Sequence, residues 1–263
     1  MVNSLKKFLT FANEFADMSG KILKKKFDST FSVSDKIDGS FVTDVDIEIE
    51  KLFLDNVKKK FPNHGVIGEE FGIHNEGSEN MWVIDPLDGT HSFIAGKPLF
   101  GTLICLINKN RPSLGVLDMP ILNERWYGGK NLGVKKNNVV CRLSDNKKKL
   151  NEVILSSTSL MMFDDRHLNV IKDIYNKVRF PIFGTDCYAY GLFLSGKVDM
   201  IIEANLKPWD YMAQVSLINE IGGIATDWSG KPLSIKSDGK VLISRSKESY
   251  LSVLNNLSKI KDY

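Results

Sequence analysis

The residues from Trp82 to Thr90 read Trp-Val-Ile-Asp-Pro-Leu-Asp-Gly-Thr, an apolar run that ends in two carboxylates, a proline between them and a Gly-Thr pair behind. Pro86 has no amide hydrogen to donate and fixes its own φ, so a short buried strand is expected to stop at Asp85. The chain then turns, and Asp88 points back toward the space that Asp85 faces. Oxygen ligands of this sort suit Mg²⁺, which keeps several waters and is held by a few carboxylates together with phosphate oxygens. Gly89 lets the backbone come close to an anion, and Thr90 adds a hydroxyl beside it. A plain strand followed by an Asp-rich turn would use the same letters, so the segment needs further carboxylates before it reads as a site.

Two more clusters supply them. Val66-Ile67-Gly68-Glu69-Glu70 is a short apolar strand running into paired acids, and Pro208-Trp209-Asp210-Tyr211 opens an amphipathic helix with another acid. Alone, Asp210 reads equally as a first-turn residue favoured by the helix dipole. Taken together, and with Glu220-Ile221-Gly222-Gly223 downstream, the set resembles the inositol-monophosphatase-like superfamily of Mg²⁺-dependent, lithium-sensitive phosphatases. The resemblance runs from Val42-Thr43-Asp44-Val45-Asp46 to Thr226-Asp227-Trp228-Ser229-Gly230-Lys231-Pro232-Leu233. Within it, the run His91 to Ile104, the segment Gly184-Thr185-Asp186-Cys187-Tyr188-Ala189-Tyr190 and the segment Glu203 to Tyr211 are most similar to the histidinol-phosphate phosphatase branch.

The resemblance implies a layered α/β/α/β/α sandwich of the inositol monophosphatase and fructose-1,6-bisphosphatase type. Its α+β half with an antiparallel sheet would span residues 1–145 and its α/β half residues 146–263, in one compact unit. Two or three Mg²⁺ ions are implied. Glu69, Asp85, Asp88 and the Leu87 carbonyl would hold the first, and Asp210, with Asp85 and Asp88 bridging, the second. Thr90 and Asp46 would activate the attacking water, a hydroxyl bonded to a carboxylate being able to orient it. Asp46 would at the same time stabilise its helix as a first-turn acid. Backbone amides at Gly89 and Thr90 would receive phosphate oxygens, with Glu70 behind the ligands. Lys36 would approach a water held by the ions, although its loop Asp35-Lys36-Ile37-Asp38 reads equally as a solvated turn.

A small phosphate ester is the expected partner. Histidinol phosphate carries an ammonium and an imidazole that favour acidic company, which Asp186, Glu203 and Asp44 could provide. Asp186 could instead cap the helix that begins near Cys187, and Glu203 could bind a hydroxyl of inositol. His91 stands where that branch often has Lys or Arg, so no permanent cation is expected there. Inositol 1-phosphate or a broad range of sugar phosphates is the alternative substrate. A noncatalytic homologue is a third reading, opposed by the intact Glu69, Asp85, Asp88, Thr90 and Asp210.

The elements that must position these groups alternate along the chain. Helices are expected at about 3–26, from Thr43 (a plausible N-cap), at 166–177, 187–195 and 209–221. Strands are expected at 66–68, 81–84, 99–107, 114–119, 124–127, 153–155 and 198–203. The close succession in the first half suggests an antiparallel meander. With 263 residues, 43% of them hydrophobic, the chain can bury a large core. Its 35 basic residues barely exceed its 32 acidic ones, and its lysine runs lack interleaved aromatics, so nucleic-acid binding is not expected. Three widely spaced cysteines fit reduced thiols in the cytoplasm rather than a disulfide framework. No apolar run approaches the roughly 20 residues that span a bilayer. A cytoplasmic homodimer is the expected form.

Overall fold

The computed structural model describes residues 2–36, 39–143, 147–258 and 260. The expected boundary between 145 and 146, and Ile37 and Asp38 of the loop at Lys36, lie outside them. Helix α1 (Val2–Phe27) buries Phe11, Ala12, Phe15, Ala16 and Leu23 along one stripe and carries Lys24, Lys25 and Lys26 in its last turn, where cations meet the free carbonyls. Strands β1 (Val33–Asp35) and β2 (Phe41–Thr43) form an antiparallel hairpin that leads into α2 (Asp44–Lys60). Thr43 caps α2 as expected, its hydroxyl accepting from the Val45 amide at 3.2 Å.

The first sheet holds β3 (Gly65–Gly68), β4 (Gly72–His74), β5 (Asn80–Asp88), β6 (Gly101–Asn108), β7 (Arg111–Met119), β8 (Glu124–Gly129), β9 (Gly133–Lys136) and β10 (Val139–Val140). Its order is β10-β9-β8-β7-β6-β5-β3-β4, antiparallel throughout except for the β3–β5 pair. Helix α3 (Thr90–Ile94) follows β5. The second sheet holds β11 (Ile154–Ser157), β12 (Phe180–Phe183), β13 (Met200–Glu203), β14 (Ile224–Thr226) and β15 (Val241–Ser244), in the order β12-β11-β13-β15-β14. Its β12-β11-β13 part is parallel and the rest antiparallel. Helices α4 (Asp165–Lys177), α5 (Tyr188–Leu194), α6 (Pro208–Glu220) and α7 (Lys247–Leu257) complete the fold.

Side-chain alternation along the strands sets the layers, because successive residues face opposite sides of a sheet. Trp82 and Ile84 of β5 join Phe15 of α1 and Phe53 of α2 in one cluster. Their neighbours Met81 and Val83 face the other way, onto Phe193 of α5 and Leu217 of α6. The same inner cluster takes Ile201 and Ile243 from the second sheet, whose opposite face packs Met200 and Leu242 against Ile171 of α4 and Val253 of α7. The result is the expected α/β/α/β/α sandwich, with α5 and α6 as the middle layer. Both sheets therefore meet the layer that carries the later acidic residues. Among the described residues, no helix is long and apolar enough to cross a membrane.

Candidate active site

Strand β5 does not stop at Asp85, as the proline suggested it should; it runs on to Asp88. What Pro86 does is break the ladder. Asp85 pairs with Leu103, and the next pairing is Asp88 with Gly101, so three steps on β5 oppose two on β6. On a regular strand, residues three apart face opposite sides; one inserted residue turns the second back to the side of the first. This bulge is what aims Asp85 and Asp88 into one space. It is pinned from within, since the Leu87 amide donates to Asp85 Oδ1 at 2.9 Å and the Thr102 hydroxyl donates to the Pro86 carbonyl at 2.9 Å. Gly89 follows at φ 86°, where a Cβ would lie 2.8 Å from the Leu99 carbonyl oxygen, so the turn has room only for glycine.

A cavity of about 210 Å³ opens over the bulge. Glu69, Asp85, Leu87, Asp88, Gly89, Thr90, His91, Asp186, Glu203 and Asp210 all line it. The three acidic segments seen in the sequence thus meet at one place, brought from the end of β3, the β5 bulge and the first turn of α6. Asp210 serves its helix as well, its Oδ2 accepting from the Lys207 amide at 2.7 Å. Burial pushes the Asp85 and Asp88 carboxyls well above the ordinary carboxylate range; then come the charges of Glu69, Asp88 and Asp210 on Asp85, and of Asp210, Asp186 and Glu203 on Asp88. Asp210 is raised to about 7, by burial first, against the Lys207 amide that favours its charged form.

Such a set has too many negative charges for the space it occupies and asks for a counter-ion. Lys36 supplies part of the answer, its ammonium lying 2.7 Å from Glu69 Oε1 and 2.6 Å from Glu70 Oε1. The Asp85, Asp88 and Asp210 carboxylates and the Leu87 carbonyl offer oxygens, which suit a hard divalent cation, while burial keeps the Cys187 thiol that also lines the cavity in its neutral form. Among the described residues, no three of these side chains already converge as a finished ligand cage. They line a common wall instead.

Other expected contacts take a different form. Asp44 does not reach the cavity: its carboxylate sits on the outside of α2, 2.9 Å from Lys26 Nζ, and accepts from the Ser32 amide. Thr90 and Asp46 are not bonded to each other. The Thr90 hydroxyl donates to the Leu87 carbonyl at 3.0 Å, while Asp46 Oδ2 accepts from the amide and hydroxyl of Thr43 as part of a capping box. Asp46 Oδ1 is buried with no hydrogen-bond partner. Burial raises this carboxyl to about 7; the Thr43 bonds oppose the rise, and the charges of Glu69 and Glu70 add to it. Asp186 is not the N-cap of α5, a position held by Cys187 with no side-chain cap bond. Its Oδ2 instead accepts from the Ser92 hydroxyl at 2.6 Å. His91 sits at the rim against the Phe41 ring, 5.2 Å between centroids.

Four residues that sequence reasoning did not single out prove to hold the site. Thr158 and Tyr190 grip Glu203, at 2.6 Å to Oε1 and 2.7 Å to Oε2, so this acid is already satisfied inside the protein. Ser92 holds Asp186. Glu50, fully buried on α2, accepts from the Glu70 and Phe71 amides at 2.8 Å each and so fixes the turn that carries Glu69. Gly68 leaves the room this needs, since a Cβ there would fall on Glu50 Oε1. Glu50 was visible one helical turn after Asp46, on the same face of α2.

Comparison with known proteins agrees with this fold. The model of the inositol monophosphatase family matches residues 4–261. The bifunctional phosphatase IMPL2, chloroplastic, of Arabidopsis thaliana is 41% identical over 231 residues, a match covering 86% of this chain and 66% of that protein, just under two thirds of its length. A histidinol-phosphatase of Chlorobaculum parvum is 30% identical over 234 residues, covering 89% of this chain and 90% of that one. The solved structure of an inositol monophosphatase from Zymomonas mobilis superposes with a TM-score of 0.85 at 30% identity, over 96% of this chain and 98% of that one. With the family model spanning nearly all of it and the fold in agreement, the chain belongs to the inositol monophosphatase family of phosphatases.

Proposed function

We propose that the protein is a Mg²⁺-dependent hydrolase of phosphate monoesters whose substrate is L-histidinol phosphate, cleaved to L-histidinol and inorganic phosphate. Glu69, Asp85, Asp88 and the Leu87 carbonyl would hold one ion, and Asp210 with Asp85 and Asp88 a second. When bound, divalent ions neutralise the phosphate and make a nearby water more acidic. The chain's own groups do the rest. Amides of the Gly89–Thr90 turn receive phosphate oxygens. The Thr90 hydroxyl exchanges its bond to the Leu87 carbonyl for one that orients the attacking water, and Asp46, with a free oxygen and a carboxyl raised to about 7, is matched to take a proton near neutral pH.

The observation that carries the substrate reading is Asp186. Glu203 is spent on Thr158 and Tyr190, whereas Asp186 faces the cavity with one oxygen tied to Ser92 and the other taking no hydrogen bond from the described residues. An uncommitted carboxylate beside a phosphate pocket suits an ammonium or imidazole better than a neutral ring. The relative named a histidinol-phosphatase supports the same reading, and the inositol monophosphatase structure supports its rival, inositol 1-phosphate. The test is kcat/KM for both esters in wild type and Asp186→Asn. A charge-assisted hydrogen bond contributes roughly 1.5–3 kcal/mol, so the variant should lose about 10- to 150-fold toward histidinol phosphate, mostly in KM, and little toward inositol phosphate. Preference of the wild type for inositol 1-phosphate, or equal losses toward both, would reject the reading. The proposal places the enzyme as a homodimer in the cytoplasm, where its three free cysteines would stay reduced.

A further inference from the structure

Two bonds cross from the segment just after Thr90 to the loop that carries Asp186. Ser92, only 6% exposed, donates to Asp186 Oδ2 at 2.6 Å, and the Lys97 ammonium donates to the Gly184 carbonyl. On its other side the loop is tied to the second sheet, with the Ser156 and Thr185 hydroxyls 2.9 Å apart and the Gly184 amide donating to the Thr158 carbonyl at 2.8 Å. Asp186 sits at φ 46°, in the left-handed region that Asp enters more readily than most residues with a side chain. The partners belong to different sheets: Ser92 and Lys97 follow β5 of the first, and the loop follows β12 of the second. Core packing of Cys187 on Met119 joins the layers next to Asp186, and the Ser92 and Lys97 bonds act on the loop's own Asp186 carboxylate and Gly184 carbonyl.

We propose that Ser92 and Lys97 are positioning residues that register the Gly184–Asp186 loop against the phosphate-binding turn. They thereby set the span between phosphate and cation that the protein accepts in a phosphomonoester. This rests on the reading of Asp186 as the acid that meets the cationic end of the substrate. Neither residue touches the reacting atoms. Their loss should relax discrimination rather than chemistry.

The experiment compares L-histidinol phosphate with inositol 1-phosphate in wild type, Ser92→Ala, Lys97→Met, Ser92→Thr and the double variant Ser92→Ala with Asp186→Asn. Ser92→Ala should raise KM for histidinol phosphate about 10-fold, part of what a full charge-assisted bond would give, with kcat changed about 2-fold or less and the neutral ester unaffected. Ser92→Thr keeps the hydroxyl and should recover most of the loss. In the Asp186→Asn background the Ser92 change should add little, because residues acting through one another are not additive. If Ser92→Ala does not fold, Lys97→Met reads the same loop from a second anchor. Equal losses toward both esters, or full additivity with Asp186→Asn, would overturn the positioning role. A wild type that shows no preference for the cationic ester would instead overturn the substrate reading, and with it this one.

Discussion

Replacing Asp46 by asparagine separates the demand its helix places on this side chain, holding the start of α2, from the role proposed for it, taking a proton at the site. Burial pushes its carboxyl from the ordinary 3.8 up to about 7, in spite of two bonds from Thr43. A carboxyl raised by folding favours the neutral form, so its contribution to stability is complete below about pH 4 and is lost as pH rises through about 7. The gap of about 3 pH units, at ~1.4 kcal/mol each, means that the charged group costs the metal-free fold about 4 kcal/mol at pH 8. Asparagine carries no charge there and still offers an oxygen to the Thr43 amide, although it accepts less well than a carboxylate, at about 1 kcal/mol per weakened bond. Chelator-treated Asp46→Asn should therefore be about 2–4 kcal/mol more stable than wild type at pH 8. At pH 4.5 the difference should shrink to about 1 kcal/mol or less, while kcat with Mg²⁺ falls by roughly 10²- to 10⁴-fold. Urea unfolding at the two pH values measures the first part and initial rates the second. Equal stability at pH 8, or a variant that loses stability at both pH values alike, would refute the claim that Asp46 is a buried, strained acid.

Asp88→Asn should likewise stabilise the metal-free protein, by removing one charge from a self-repelling cluster, but should abolish both turnover and the rise in Tm that Mg²⁺ gives wild type; a folded variant still stabilised by Mg²⁺ would remove Asp88 from the ligand set. Glu50→Gln puts an amide where two backbone N–H groups need acceptors, so the Mg²⁺ concentration for half-maximal stabilisation should rise about 10- to 100-fold, with kcat at saturating Mg²⁺ changed far less. Titration calorimetry or thermal melts against Mg²⁺ check this, and unchanged affinity would leave Glu50 a purely structural residue. Thr90→Ala should keep Mg²⁺ binding and lower kcat roughly 10²- to 10⁴-fold. A change confined to KM would contradict its role in orienting water.

That these acids would gather at one place was legible because they stand in short segments. Asp85, Asp88 and Gly89 stand within one short segment, and Glu69 and Asp210 each border an apolar run that shows in the sequence. What escaped depends on geometry that one sequence does not carry. The proline promised a strand end, yet a bulge keeps β5 in the sheet and does the aiming itself. Asp44 and Asp46 are two residues apart on α2, and only the helix rotation decides that the first meets Lys26 outside while the second is buried. Ser92, Tyr190 and Thr158 carry no signal of their own, since a hydroxyl that orients an acid on another element looks like any core or loop hydroxyl. Strand β12, with Pro181 at the sheet edge, and the short, fully buried β15 also went unseen.

The central claim is that the carboxylates around the β5 bulge hold divalent ions for the hydrolysis of histidinol phosphate. It is tested most directly by following phosphate release from L-histidinol phosphate as Mg²⁺ is titrated into chelator-treated protein. Turnover that is absent in chelator and rises saturably with Mg²⁺, with a kcat/KM above that for inositol 1-phosphate, is the predicted result. Turnover that persists in excess chelator, or no release from histidinol phosphate at any Mg²⁺ concentration, would contradict it.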